Sequence, residues 1–440
     1  MGPRLVACRK RRKAGTGALR FIALASAMLA PAAAAQSNAD DLPPWHPLRA
    51  DRVADVREAP STTMSEGIYN RLFRVHELLD ADRPEEALEL MDRIRPDRIG
   101  KYEAAQLFQT YGSVYSQLGR DDEALDAFQK CLKLDALPTH QQQSIVYSVA
   151  GFHAGGERYD ESNAALLRWF RYESNPLAEA YIFMGANFAQ REMMREALPY
   201  VVRANRLAEQ PSENWRELQL AIHVRLGQHA DAITLLKDNI GIWPGKVRNY
   251  VVLSGLYSET GQEDGALAAL SVPWRRGMLV AQTDILNLAR LNLFLENPAR
   301  AGIILQEAMD RGHVEENSEN LRLLVNSWTM AREIDRAVDA MDKLAQLADD
   351  GGAYHRMALL LSETGEWEGV VESCRMALEK GGLEEPGKVW LLQGVALAEL
   401  GRFDRAIGAF ENAKRSGSDK VRRDASTWIG YFQERSRESS

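Results

Sequence analysis

In the stretch "AQLFQTYGSVYSQLGRDDEALDAFQKCLKLDALP", Ala105 to Pro138, the large apolar positions Phe108, Tyr111 and Tyr115 recur every three or four residues and share a face with small Gly112. That spacing predicts an amphipathic helix. Gly119 breaks the pattern, and Ala124, Phe128 and Cys131 then line a second helix, so the stretch predicts an antiparallel helical hairpin. Small Gly112 and Ala124 let the two backbones approach where larger side chains would hold them apart. Near the far end, "GKVWLLQGVALAELGRFDRAIGAFENA" repeats the pattern with Trp390, Gly394, Leu397, Gly401, Ala406, Phe410 and Ala413.

The small residue of the second helix serves as a phase marker: Ala87, Ala124, Ser162, Ala197, Ala232, Ala266, Ala301, Ala337, Val370 and Ala406. Successive markers lie 33 to 38 residues apart. A period near 34 residues with these signature positions resembles the tetratricopeptide repeat. The resemblance implies an all-α fold: a right-handed superhelical solenoid of about ten hairpins over residues 65–417. One hairpin cannot bury its own apolar stripe, so neighbours stack to cover it and surface positions are free to vary. Pro273 falls inside the second helix marked by Ala266 and is expected to shorten it or bend the stack. Residues 418–440 carry Val421, Ala425, Trp428, Ile429 and Phe432 on one face, the pattern of a capping helix.

The beginning of the chain departs from the period. A basic run around Arg9 to Lys13, the apolar "FIALASAMLA" and the tract Ala32 to Ala35 have the order of a cleaved export signal over residues 1–35. The apolar core is too short to span a bilayer, and no later segment is long enough. Residues 36–64 are rich in proline and charge without periodicity, and are expected to form an extended or disordered arm. Removing residues 1–35 takes away seven basic and no acidic residues, so the formal charge moves from −8 to −15. Such a balance argues against nucleic acid as a partner. Cys131 and Cys374 each sit within an apolar helical pattern and are expected to be buried free thiols.

No catalytic, cofactor or metal constellation is present. The histidines form no HExxH pair, and His223 and His229 are spaced to face different directions. "GIWPGK", Gly241 to Lys246, is one residue short of a phosphate loop and reads as a turn. There is no GxSxG elbow, so the sequence supports a binding protein rather than an enzyme. The other class is an enzyme or regulatory subunit acting on cell-wall or envelope substrates; partly buried carboxylates clustered in one pocket would favour it.

Registering the repeats places Arg290, Arg322, Asn326, His355 and Lys388 on the concave wall that first helices build. Cations on the wall of an acidic chain fit an acidic segment or a free carboxylate. Arg322 and Asn326, one turn apart, are partly similar to the carboxylate clamp of chaperone-binding members, and Leu392 stands where that clamp would need another basic residue. A second candidate surface is "LLRWFRYESNP", where Arg168, Trp169, Arg171 and Tyr172 make an arginine-aromatic cluster; the helical stripe requires Trp169 and Phe170 to pack inward.

Four phrases extend the resemblance: "MSEGIYNRL", "ALLRWFRYESNPLAEAYIFMG", "SENWRELQLAI" and "ALEKGGLEEPGKVWLLQGVALAELGRFDRAIGAFENAKR". With the layout from about Met64 to Phe432, they are similar to exported proteobacterial tetratricopeptide proteins that accompany TonB–ExbB–ExbD energy-transducing systems. The resemblance implies a periplasmic scaffold or adaptor that binds an envelope protein or peptide segment, with no catalytic residues.

Overall fold

The computed structural model describes residues 42–438. Within them the chain is an all-α repeat solenoid, and among the described residues there is no β-strand. Three hairpins come first: α1 (Glu66–Asp80) with α2 (Pro84–Met91), α3 (Lys101–Gln117) with α4 (Asp121–Leu134), and α5 (Thr139–Gly155) with α6 (Tyr159–Tyr172). Two more pair α7 (Ala178–Gln190) with α8 (Met194–Leu207) and α9 (Glu213–Arg225) with α10 (His229–Ile242). The next two pair α11 (Val247–Glu259) with α12 (Glu263–Arg275) and α13 (Gln282–Phe294) with α14 (Pro298–Asp310). The last three are α15 (Ser318–Met330) with α16 (Ile334–Leu347), α17 (Gly352–Thr364) with α18 (Trp367–Lys380), and α19 (Pro386–Glu399) with α20 (Phe403–Ser416). Helix α21 (Asp419–Glu438) covers the far end.

The small positions do what their spacing requires. A Cβ on Gly112 would meet the Phe128 ring at 2.4 Å, and one on Gly394 would meet the Phe410 ring at 2.5 Å, so glycine lets an aromatic ring lie flat on the opposing helix. Nine of the ten marker residues that follow this logic are buried alanine or valine; at the tenth, the Ser162 hydroxyl donates to the Ala150 carbonyl and accepts from Asn187, which satisfies it. The hairpin turn needs a left-handed residue. Gly119 and Gly401 supply it at φ near 70°, whereas Glu157, Glu192, Glu296 and Arg332 hold the same conformation at φ 57–58°.

Successive first helices touch, as α1 does α3, α7 does α9 and α17 does α19, and they therefore line the inner side of the curve. Both thiols are buried and unpaired, and burial pushes each up to about 12. Cys131 donates to the Ala105 carbonyl.

The structure sharpens three expectations. Pro273 does not shorten its helix: α12 continues to Arg275 and is as long as α11, although the proline supplies no amide to the Ala269 carbonyl one turn back. Trp428 is not buried with the rest of its face; it is 39% exposed while Val421, Ala425 and Phe432 are covered. The arm, over its described residues 42–64, takes the extended form of the two expected: extended backbone follows a turn in which His46, Arg49 and Val53 amides donate to Pro43, His46 and Pro44 carbonyls. The segment read as an export signal lies outside the described residues.

Candidate functional site

Three adjoining cavities run along the inner side from α13 to α19, and Arg322 of α15 lines all of them. The first, about 270 Å³, lies between α13 and α15 and includes Arg290, Arg322 and Asn326. The second, about 400 Å³, has Arg322 and Arg356 over a floor of Val325, Met341, Leu344, Leu359 and Leu360. The third, about 590 Å³, reaches from Arg322 past His355 and Arg356 to Lys388. All five wall residues expected from the repeat register therefore border one continuous groove.

Their electrostatic states differ. Arg290 faces Glu319 at 3.7 Å, and Lys388 is paired with Glu385, whose carboxyl it holds below its ordinary value. Arg322 is exposed and, among the described residues, makes no ion pair or side-chain hydrogen bond. Arg356, which the register reading missed, is in the same state. It lies 34 residues after Arg322, one repeat on, and that interval was the signal that could have found it. Asp349, Asp350, Glu384 and Glu385 also border the third cavity. Asp350 accepts the Gly352 amide at 2.8 Å, and three of the four carboxylates are exposed, so they form a rim rather than a buried cluster.

Burial, reinforced by the Lys388 and Arg356 cations, holds the His355 imidazole below its ordinary value. As pH falls through the ordinary histidine range, the unfolded chain takes up this proton before the folded one does, so the contribution of His355 to stability is lost on the acid side. An NMR titration should give a midpoint below that of free histidine, and Lys388→Ala should raise it. A wild-type midpoint at or above free histidine would contradict the burial of this ring.

Residues 100–136, the second hairpin with its flanking turns, match the family model of the tetratricopeptide repeat. That hairpin is a tetratricopeptide repeat, and the other nine hairpins share its helix-turn-helix architecture. No curated protein sequence matches it. Among solved structures it is similar to YrrB, described as a TPR protein with an unusual peptide-binding site, at 18% identity over 38% of this chain and 84% of that one, with a TM-score of 0.33. It is also similar to the TPR2AB domain of yeast Sti1 in complex with a pHSP90, at 15% identity over 58% and 98%, TM-score 0.31. The P58(IPK) TPR domain aligns at 12% identity over 85% and 99%, TM-score 0.24.

Elsewhere in the solenoid, the arginine-aromatic cluster of α6 is in use within the chain. Phe170 is fully buried, and Trp169 is half-buried between Tyr147 and Phe170. Arg171 pairs with Asp55 of the arm at 2.5 Å and lies over the rings of Trp45 and Tyr172, while Arg168 is exposed. His223 is buried and bonded to Gln228 at 2.8 Å; the His229 ring lies 3.9 Å from Glu259. Among the described residues, no three His, Cys, Asp or Glu side chains are placed to hold a metal ion, and no helix is long and apolar enough to cross a membrane.

Proposed function

We propose that this protein is an interaction scaffold whose inner groove, from α13 to α19, binds an acidic segment of a partner protein. The observation that carries the reading is the pair Arg322 and Arg356: two unpaired arginines, from adjacent hairpins, over an apolar floor. An arginine with no partner on its own surface can give its full set of donors to an incoming carboxylate. The apolar floor beneath favours a segment that also carries an aliphatic side chain. Titration of the protein with acidic and charge-neutralised versions of one captured segment tests this; equal affinity for both would dismiss it.

The reading extends to place and partner. The basic, apolar and alanine order of residues 1–35 supports export to the periplasm with cleavage near Ala35. The resemblance of the four phrases to TonB-associated proteins supports an accessory role in a TonB–ExbB–ExbD-type envelope transport system. N-terminal sequencing of protein from its native host should begin near Gln36, in material released from the periplasm without detergent. Met1 or Gly2 on the accumulated protein would refute the export step, and a capture experiment without TonB-system components would refute the partner.

A further inference from the structure

The arm crosses three hairpin junctions and is anchored at each by polar contacts. At the end of α6, Arg52 donates to the carbonyls of Phe170 and Glu173, and the Asp55 amide donates to the Arg171 carbonyl at 2.8 Å. The Arg171 side chain returns to the Asp55 carboxylate at 2.5 Å. After α4, Arg57 donates to the Leu137 carbonyl at 2.7 Å, the Asp135 carbonyl at 2.9 Å and the Asp135 carboxylate at 2.6 Å. At the start of α3, the Ser65 amide and hydroxyl both donate to the buried Glu103 carboxylate, at 2.7 and 2.6 Å.

The chemistry of these anchors is specific. The last carbonyls of a helix have no partner within it and carry the negative end of its dipole, so a guanidinium with several donors suits them. Arg52 serves such an end at the Phe170 carbonyl of α6, and Arg57 serves the turn that follows α4, at Asp135 and Leu137. Apolar burial is confined to the two ends of the arm: Val53 is 66% and Val56 96% exposed, whereas Pro47 is buried, Leu48 packs against the core around Phe170 and Tyr181, and Met64 packs against the core around Ile68 and Leu72. Contacts that are polar, few and widely spaced hold a segment in place without merging it into the core.

We propose that the edge formed by the ends of α4 and α6 is a peptide-binding track, separate from the inner groove, for an extended segment with two arginines five residues apart and an aspartate between them. The chain's own residues 45–57 occupy it. Tethering gives the arm a high effective concentration, so a segment of the same chemistry from outside competes poorly until the arm is released.

The full-length chain can be tested with a labelled synthetic peptide of residues 42–58, against wild type and the Arg52→Ala/Arg57→Ala variant. The peptide should bind the variant roughly tenfold or more tightly than wild type, and a peptide with both arginines replaced by alanine should bind neither. Equal affinity for the two proteins, or no saturable binding to the variant, would overturn the proposal. Hydrogen exchange on wild type gives an independent reading: the Asp55 amide should be protected, and exchange at the rate of an unstructured chain would overturn it equally.

Discussion

Phe410→Ala should destabilise the C-terminal end of the solenoid by about 3 to 5 kcal/mol, the usual cost of emptying a fully buried aromatic site. The ring is wholly covered, lies flat on Gly394 of α19, and stacks on Trp428 and Phe432 of α21 at 5.9 and 6.2 Å between ring centres. It is thus the shared packing partner of three helices. Gly394 cannot fill the space left behind, because nothing extends from it. Each hairpin contacts only its neighbours, so the loss should stay local. Hydrogen exchange should show faster opening across α19, α20 and α21, with α3 to α6 unchanged. Equal loss of protection at both ends would mean that the chain unfolds as one unit.

Arg322→Ala should weaken binding of an acidic segment by about 1.5 to 3 kcal/mol, the range for a lost hydrogen bond to a charged group. Its position at all three cavities makes it the cation that any ligand lying along the groove must pass. Arg356→Ala should cost a similar amount. Arg290→Ala and Lys388→Ala should each cost less, since Glu319 and Glu385 already face these cations and a ligand must compete with them. A ranking with Lys388 first would place the ligand at the other end of the groove.

The hairpins were legible because their signal is local and repeated. Gly112 with Phe128, and Gly394 with Phe410, are each spaced 16 residues apart, and Gly185 meets Val201 at the same interval. Five wall residues followed from the same register. Charge state did not follow, because Arg290 and Lys388 are neutralised by acids whose side-chain directions no period specifies. Arg356 was overlooked beside His355, since both neighbours on that turn can reach the groove. The arm was the least legible element. Its proline-rich residues have no periodicity, and its anchors join positions up to 121 residues apart, such as Arg52 and Glu173. Arg171, part of the arginine-aromatic cluster, meets Asp55 of the arm, a contact that its own repeat gives no sign of.

In the function proposed above, the inner groove reads an acidic partner through Arg322 and Arg356. The most direct measurement of that reading is calorimetric titration of the captured acidic segment at two ionic strengths, against wild type, Arg322→Ala, Arg356→Ala and Arg300→Ala, the last on α14, a second helix away from these cavities. Weaker binding and a shallower salt dependence are expected for the first two variants, because fewer exposed charges are screened on association, and wild-type behaviour for Arg300→Ala. Unchanged affinity in both groove variants, or an equal loss in all three, would contradict it.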